Sequence, residues 1–310
     1  MQAVAPHWKT MTTLYSHPDI FLHDAHASHV AMEATRMSEI YDAVSRVPGI
    51  ALRRARQATR DEFERIHSPE YLDLLSSPLE HGQVLRFNGE TIVNAHTWTA
   101  LAYSAGAVCE AVEEALAGKE RHAFCVGYAG HHAQDAAAQG FCFTNPVAIG
   151  ARHALALGAK RVAVLDFDTH SGNGTILSLM DEPAILFAET YQKGFPGEFL
   201  PGRRPDNIRR IRCDTAVDFR RGWAELFAAV GDFDPDVILV SAGFDAHKAD
   251  PLGLIGLQDS DYAWFARTLT GLDRPVVATL EGGYSVADTA RCAALFVTTL
   301  REAETPEHTA

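Results

Sequence analysis

Five short runs along the chain are apolar at both odd and even positions, at residues 123–128, 161–168, 184–190, 236–241 and 275–280. A strand buried on only one face would alternate apolar and polar residues, so these runs read as strands covered on both sides. Between them lie segments whose apolar residues recur at helical spacing, at 145–157, 172–180, 223–231 and 260–272. Thr59 followed by Glu62 has the spacing of a capping box and predicts a further helix over 60–67. Strand–helix alternation of this kind predicts an α/β fold, a mainly parallel sheet with helices on both faces. In such sheets ligands bind beyond the carboxyl ends of the strands, and the polar residues there carry the functional argument.

The run 161–168 ends in Asp166-Phe-Asp168-Thr-His170-Ser-Gly-Asn173. Asp168 and His170 are two apart, so in extended backbone they project from one side and can converge on one cation. Carboxylate oxygen with imidazole nitrogen suits Zn²⁺ or Fe²⁺, although the tripeptide alone also reads as a capped strand end. The run 236–241 leads into Gly243-Phe-Asp245-Ala-His247. Asp245 completes a set of two carboxylates and one imidazole, and three protein ligands leave a position open for water or substrate. His247 is the rival ligand, expected in an outward loop position. Beyond 123–128 come the adjacent pair His131 and His132, and then Gly140-Phe-Cys-Phe-Thr-Asn145. One histidine would take a proton from a water and the other would relay it, with Asp166 and Asn173 as groups that set their tautomers. The last run ends in Leu280-Glu-Gly-Gly-Tyr284, where Gly282 and Gly283 let the backbone pass close to a ligand and Tyr284 can donate to an oxyanion.

Composition narrows the setting. The chain has 310 residues, and its 27 Lys and Arg against 40 Asp and Glu give a net charge of −13. That balance argues against a binder of nucleic-acid backbones and accommodates a cationic substrate. Five cysteines, odd in number and without a C-x-x-C pair, suggest neither a disulfide framework nor a cysteine-rich zinc site. The N-terminal MQAVAPHWKT lacks the layout of a secretory signal, and the Ala-rich stretch 95–116 carries Glu110, Glu113 and Glu114, so no membrane span is expected. A cytoplasmic setting is the default expectation, and homo-oligomerisation stays open.

The motifs in their order resemble the zinc-dependent histone deacetylase and acetylpolyamine amidohydrolase family, in the form of a bacterial histone deacetylase-like amidohydrolase. Gly130-His-His-Ala133, Gly140-Phe-Cys-Phe-Thr-Asn145, the Asp166–Thr175 segment, Ser241–Gly253 and Leu280–Tyr284 carry the resemblance. His26-Ala-Ser-His29, His67-Ser-Pro-Glu-Tyr71, and Glu90-Thr91 followed by a long helix over 100–112 resemble its earlier segments. The resemblance implies the arginase–deacetylase fold, a single domain over 1–310 with about eight strands in its sheet and flexible tails at 1–10 and 302–310. It implies Asp168, His170 and Asp245 as ligands of Zn²⁺ or Fe²⁺, and His132 as general base with His131 as its electrostatic or relay partner. Asp166 would orient His131, Asn173 would orient His132, and Tyr284 would polarise the acyl carbonyl. Gly140, Phe141, Phe195 and Gly283 would line the substrate tunnel. The implied reaction is hydrolysis of an acylated amine: acetyl-lysine, an acetylpolyamine or a related small molecule.

Four departures accompany this resemblance, one of them the lack of the usual Gly-rich loop over Arg209–Trp223. The segment before Gly130 lacks the usual Arg-Pro-Pro, and Ser171 stands where a second histidine is common. The family's K⁺ site uses Asp166 and a serine on the next strand; here Glu189 stands in the serine's place, so it either ligates the cation or forms an ion pair. An arginase-like binuclear hydrolase would need a carboxylate at Gly172, and a catalytically silent acyl-amine binder is the remaining alternative.

Overall fold

The computed structural model describes residues 10–23, 34–77, 79–80, 83–86, 91–194 and 205–302. The expected tails 1–10 and 302–310 lie outside the described residues except for Thr10 and Glu302, and His26, His29, Glu90 and Phe195 lie outside them as well. Among those described, the strands are β1 (Thr10–Ser16), β2 (Ala51–Arg54), β3 (Val84–Arg86), β4 (Ile92–Asn94), β5 (Glu120–Cys125), β6 (Val162–Asp166), β7 (Ile185–Tyr191), β8 (Ile208–Arg212), β9 (Val237–Ala242) and β10 (Val276–Leu280). The α-helices are α1 (Ala34–Ser45), α2 (Arg60–Phe63), α3 (Pro69–Ser76), α4 (Thr97–Leu116), α5 (Pro146–Ala156), α6 (Asn173–Leu179), α7 (Ala216–Phe233), α8 (Asp259–Thr270) and α9 (Val286–Glu302). None of the described helices is long and apolar enough to cross a membrane.

Eight strands form one sheet in the order β2-β1-β5-β10-β9-β6-β7-β8, and every pair in it is parallel. Strands β3 and β4 pair antiparallel in a separate two-stranded unit. The period of two sends successive side chains to opposite layers. Ala163 and Leu165 of β6, with Ile238 and Val240 of β9, face the layer of Trp223, Phe265 and Phe296. Val162 and Val164, with Val237 and Leu239, face the layer of Val108, Val147 and Ile149. Burying each such Val, Leu or Ile contributes about 1.5–3 kcal/mol relative to exposure, which is why these strands occupy the middle of the sheet. In the first layer Phe265 lies 4.7 Å from Trp223, edge to face, and 4.8 Å from Phe167, just beyond β6.

Several boundaries differ from the sequence expectation. The strand expected at 123–128 runs Glu120–Cys125, three residues earlier, because its pairing with β1 begins at Thr10↔Glu120. The helix expected at 60–67 is the single turn α2, followed by Ser68 and the proline-led α3. Its capping box is present: Glu62 N–H donates to Thr59 Oγ1 at 3.3 Å, and Thr59 N–H donates to Glu62 Oε2 at 2.7 Å.

Glu62 also receives both arms of Arg56, at 2.5 and 2.9 Å, although its residue is only 4% exposed. Burial opposes ionisation, but these bonds lower the carboxyl from 4.5 to about 2. A depressed folded-state value means the stabilisation is present above the unfolded value and is lost as pH falls toward 2. The linkage amounts to about 3 kcal/mol. Chemical denaturation of Glu62→Gln against wild type across pH 2–7 should show a gap that is largest near neutrality and closes on acidification; a gap constant over that range would contradict the assignment.

Candidate metal centre and active site

Four adjacent strands, β5, β10, β9 and β6, deliver the polar residues from their carboxyl ends. The register Asp166↔Ser241 brings the segments after β6 and β9 side by side. Asp168 and Asp245 are 1% and 0% exposed. Backbone amides hold both: Gly282 N–H donates to Asp168 Oδ2 at 2.9 Å, His170 N–H donates to Asp168 Oδ1 at 2.8 Å, and Thr169 N–H donates to Asp245 Oδ1 at 2.8 Å. Asp168 Oδ1 and Asp245 Oδ2 also face His170 Nδ1, at 3.2 and 2.9 Å. Donor atoms of the three residues lie within 4.8 Å of one another.

Glycines make this approach possible. A Cβ on Gly243 would sit 2.1 Å from Asp168 Oδ2, and one on Gly282 would sit 2.3 Å from Asp245 Oδ2. The paired buried carboxylates polarise the group. Burial disfavours a charged His170, yet Asp168 and Asp245 overcome it and push the imidazole up to about 10. Burial and the charge of Asp168 push Asp245 up to about 7. Asp168 is held below the usual carboxylate range because His131 and His170 outweigh its burial. Among the described residues no Lys or Arg pairs with Asp168 or Asp245. The two other clusters of this kind, Glu62–Cys109–His153 and His247–Asp259–Cys292, both have an arginine on a carboxylate. Two carboxylates and one imidazole, with no Lys or Arg on them among the described residues, form a donor set that fits a divalent transition metal.

His247, expected to point outward, is instead 2% exposed and lies against Asp259 at 3.1 Å. It is not a member of the Asp168–His170–Asp245 group. The turn after β9 folds back under α8, whose Tyr262 ring stacks near His247 at 6.4 Å.

The tandem histidines stand beside the carboxylates, with ring centroids 4.0 Å apart. His131 Nδ1 lies 2.9 Å from Asp166 Oδ2, and its Nε2 lies 3.8 Å from Asp168 Oδ1. His132 Nδ1 lies 2.7 Å from Asn173 Oδ1. Because Asn173 Nδ2 donates to Gln139 Oε1 at 2.8 Å, the amide turns its oxygen to His132, which must then carry its proton on Nδ1. His132 Nε2 is left as an acceptor. Burial opposes a charge on His131, but Asp166, Asp168 and Glu281 raise it well above the ordinary histidine value. His132 is pushed well below that value by burial and by the charges of His131 and His170. Neighbouring groups driven apart in this way suit different roles in proton transfer.

Tyr284 follows β10. Its backbone N–H donates to Asp250 Oδ2 at 2.6 Å, and burial together with Asp245 and Asp168 keeps its phenol protonated far above the usual range. Phe141 lies 6.4 Å from it, edge to face, and a small cleft is lined by Gly140, Phe141, Tyr284 and both histidines. Gly140 has φ 53°, and a Cβ there would come within 2.5 Å of His132 Cδ2. Gly283 has φ 129°, and its carbonyl accepts from Arg36 Nε at 2.7 Å. Glu189 is fully buried, bonded to Arg210 Nε at 2.5 Å, Ser171 Oγ at 2.9 Å and Gly172 N at 2.9 Å. Of the two options open to it, the carboxylate therefore forms an ion pair. Gly172 leaves no room for the extra carboxylate of a binuclear site, since a Cβ there would lie 2.4 Å from Asp166 Oδ2.

Four contributors are not singled out by the sequence reading. Glu281 accepts from Gly130 N at 2.6 Å and His131 N at 3.2 Å, and so fixes the loop of the tandem histidines. Gln139 orients Asn173, and Asp250 anchors Tyr284. Arg36, 2% exposed, clamps the Glu281–Gly283 turn through both backbone carbonyls. The available signal for Arg36 is a cation on the apolar face of α1, alongside Met37, Ile40 and Val44.

Comparison with known proteins follows the same outline. Residues 29–300 match the histone deacetylase domain. The chain is 28% identical over 281 residues to histone deacetylase HDA1 of Candida albicans, covering 82% of this chain and 34% of that protein. It is 30% identical over 275 residues to polyamine deacetylase HDAC10 of Mus musculus, covering 81% of this chain and 41% of that protein. The chain thus spans well under half the length of either relative. The crystal structure of the HDA15 HD domain superposes with a TM-score of 0.89 at 24% identity, covering 95% of this chain and 90% of that one, and shows the same fold. The extent of the domain match establishes that the chain belongs to the histone deacetylase domain family.

Proposed function

We propose that this chain is a zinc-dependent deacylase that hydrolyses the amide of an acylated amine. The observation that carries the reading is the neutral, acceptor-ready His132 Nε2 beside the Asp168–His170–Asp245 donor set, with a protonated Tyr284 next to it. Relatives named for histone and polyamine deacetylation support an acyl-amine substrate. The net charge of −13 favours a cationic amine. Zn²⁺, or Fe²⁺, held by Asp168, His170 and Asp245 would supply Lewis acidity and a water of lowered pKa.

The remaining work falls to side chains. His132 accepts the proton of the attacking water through Nε2, with Nδ1–H fixed on Asn173. His131, held cationic by Asp166, stabilises negative charge as it develops. Tyr284 donates its phenolic hydrogen bond to the carbonyl oxygen as that oxygen becomes an oxyanion. When the C–N bond breaks, the proton taken by His132 passes to the departing nitrogen, leaving a free amine and a carboxylate. Phe141 and Gly140 flank the acyl chain beside His132, and Phe195 is proposed as the facing wall.

A turnover panel tests the whole reading: acetyl-lysine peptides, acetylpolyamines and longer acyl-amines, assayed with the metal identified. Hydrolysis of at least one class, abolished by a chelator and restored by Zn²⁺ or Fe²⁺, is expected; metal-loaded protein that binds these amides and hydrolyses none would mark a silent binder. Tyr284→Phe should lower kcat by about 10²–10³-fold while thermal unfolding stays close to wild type. Near-normal turnover by that variant would remove the oxyanion role. Asn173→Asp places a carboxylate on His132 Nδ1 and raises the His132 pKa, so the base is lost at higher pH. The acid limb of the kcat/KM profile should move up by about one unit or more, and an unmoved limb would exclude His132 as the base.

A further inference from the structure

Bonded to the proposed metal-ligand loop lies a charged group that the proposed chemistry does not use. Glu189 on β7 and Arg210 on β8 face each other directly in register. The carboxylate is 0% exposed, and the guanidinium side chain is 21% exposed. Arg210 Nε donates to Glu189 Oε1, and Nη2 donates to Ser171 Oγ at 2.8 Å. Ser171 Oγ in turn donates to Glu189, and the Gly172 N–H donates to Glu189 Oε2. The guanidinium also covers the Tyr191 ring at 4.4 Å, which fixes its plane. Ser171 and Gly172 are the two residues between His170, a proposed metal ligand, and Asn173, which holds His132. The loop on which both depend is therefore tied to a sheet strand by a two-armed cation and a buried anion.

We infer that Arg210 is a positioning residue that holds the 170–173 loop in its metal-binding geometry through Glu189 and Ser171, as a built-in cation that makes an exchangeable one at Glu189 unnecessary. The argument is one of charge and shape. A carboxylate buried this fully costs several kcal/mol without a partner, and the guanidinium is the only cationic group paired with it among the described residues. The planar fork reaches the carboxylate and the serine hydroxyl at once, whereas an ammonium is a point charge. Groups that hold metal ligands from behind typically change metal affinity by about 10–100-fold when removed. The inference rests on the reading of Asp168, His170 and Asp245 as metal ligands.

Arg210→Met tests it in three measurements on the full chain. Amide hydrogen exchange across residues 169–173 of metal-free protein should accelerate by about tenfold or more. Co²⁺ affinity, measured by chelator competition, should fall by about 10–100-fold with an altered visible spectrum. K⁺ at constant ionic strength should recover part of that affinity in the variant, and should leave wild-type affinity unchanged. Wild-type loop exchange and Co²⁺ affinity in Arg210→Met would overturn the inference, as would a wild-type affinity that rises with K⁺. Should the methionine variant fail to fold, Arg210→Lys keeps the charge without the fork and is expected to show a smaller loss in the same direction. A lysine variant indistinguishable from wild type in both measurements would overturn the positioning role. Failure of wild type to bind Co²⁺ would instead sink the metal-centre reading, while loop exchange would still decide the role of Arg210.

Discussion

Two carboxylates buried against one imidazole nitrogen set the terms for everything around them. Asp168 and Asp245 cannot both stay ionised in the interior without a positive charge between them, and the neighbouring backbone is shaped to bring them together. Parallel pairing of β6 and β9 places the two loops side by side. Gly243 and Gly282 give up their side chains so that the carboxylates fit. Amides of Thr169, His170 and Gly282 hold the two carboxylates so that one oxygen of each faces His170 Nδ1. Around them Asp166 and Asp168 hold His131 cationic against its burial, burial with the two carboxylates keeps Tyr284 protonated, and burial with the charges of His131 and His170 keeps His132 neutral.

The middle of the fold is legible in the sequence and its margins are not. Strands β6, β7, β9 and β10 are covered on both faces, so their unbroken apolar runs stand out. Strand β2 alternates half-buried and exposed residues, and β8 reads Ile-Arg-Arg-Ile-Arg, a composition that suggests a polar loop until a neighbouring strand supplies its hydrogen bonds. Helix α7 extends from residue 216, seven residues before the expected start, because Thr215 caps it at Asp218 N–H in a stretch whose charged residues face solvent.

A similar division holds at the site. Residues with unusual local chemistry, such as adjacent histidines or Asp-x-His, announce themselves at a strand end. Residues that act by holding others do not, because their partners are distant in the chain. Arg36 acts on a turn about 245 positions away, and Arg210 acts on a hydroxyl 39 positions back. His247 shows the converse: a histidine near a candidate ligand reads as loop decoration, yet the turn carries it inward to Asp259.

The position of β10 has a consequence for how the chain comes to be folded. This strand lies between β5 and β9, although it is the last strand described in the sequence. Until residues 276–280 have left the ribosome, the nascent chain can form β2-β1-β5 and β9-β6-β7-β8 only as separate half-sheets, each with an apolar edge that has no partner. Inserting β10 joins the halves and, in the same step, delivers Glu281 to the tandem-histidine loop and Gly282 to Asp168. A chain halted before this strand would carry Asp168, His170 and Asp245 but lack the Gly282 amide and the Glu281 carboxylate that complete their surroundings, and its two unpaired inner edges would be natural targets for a chaperone.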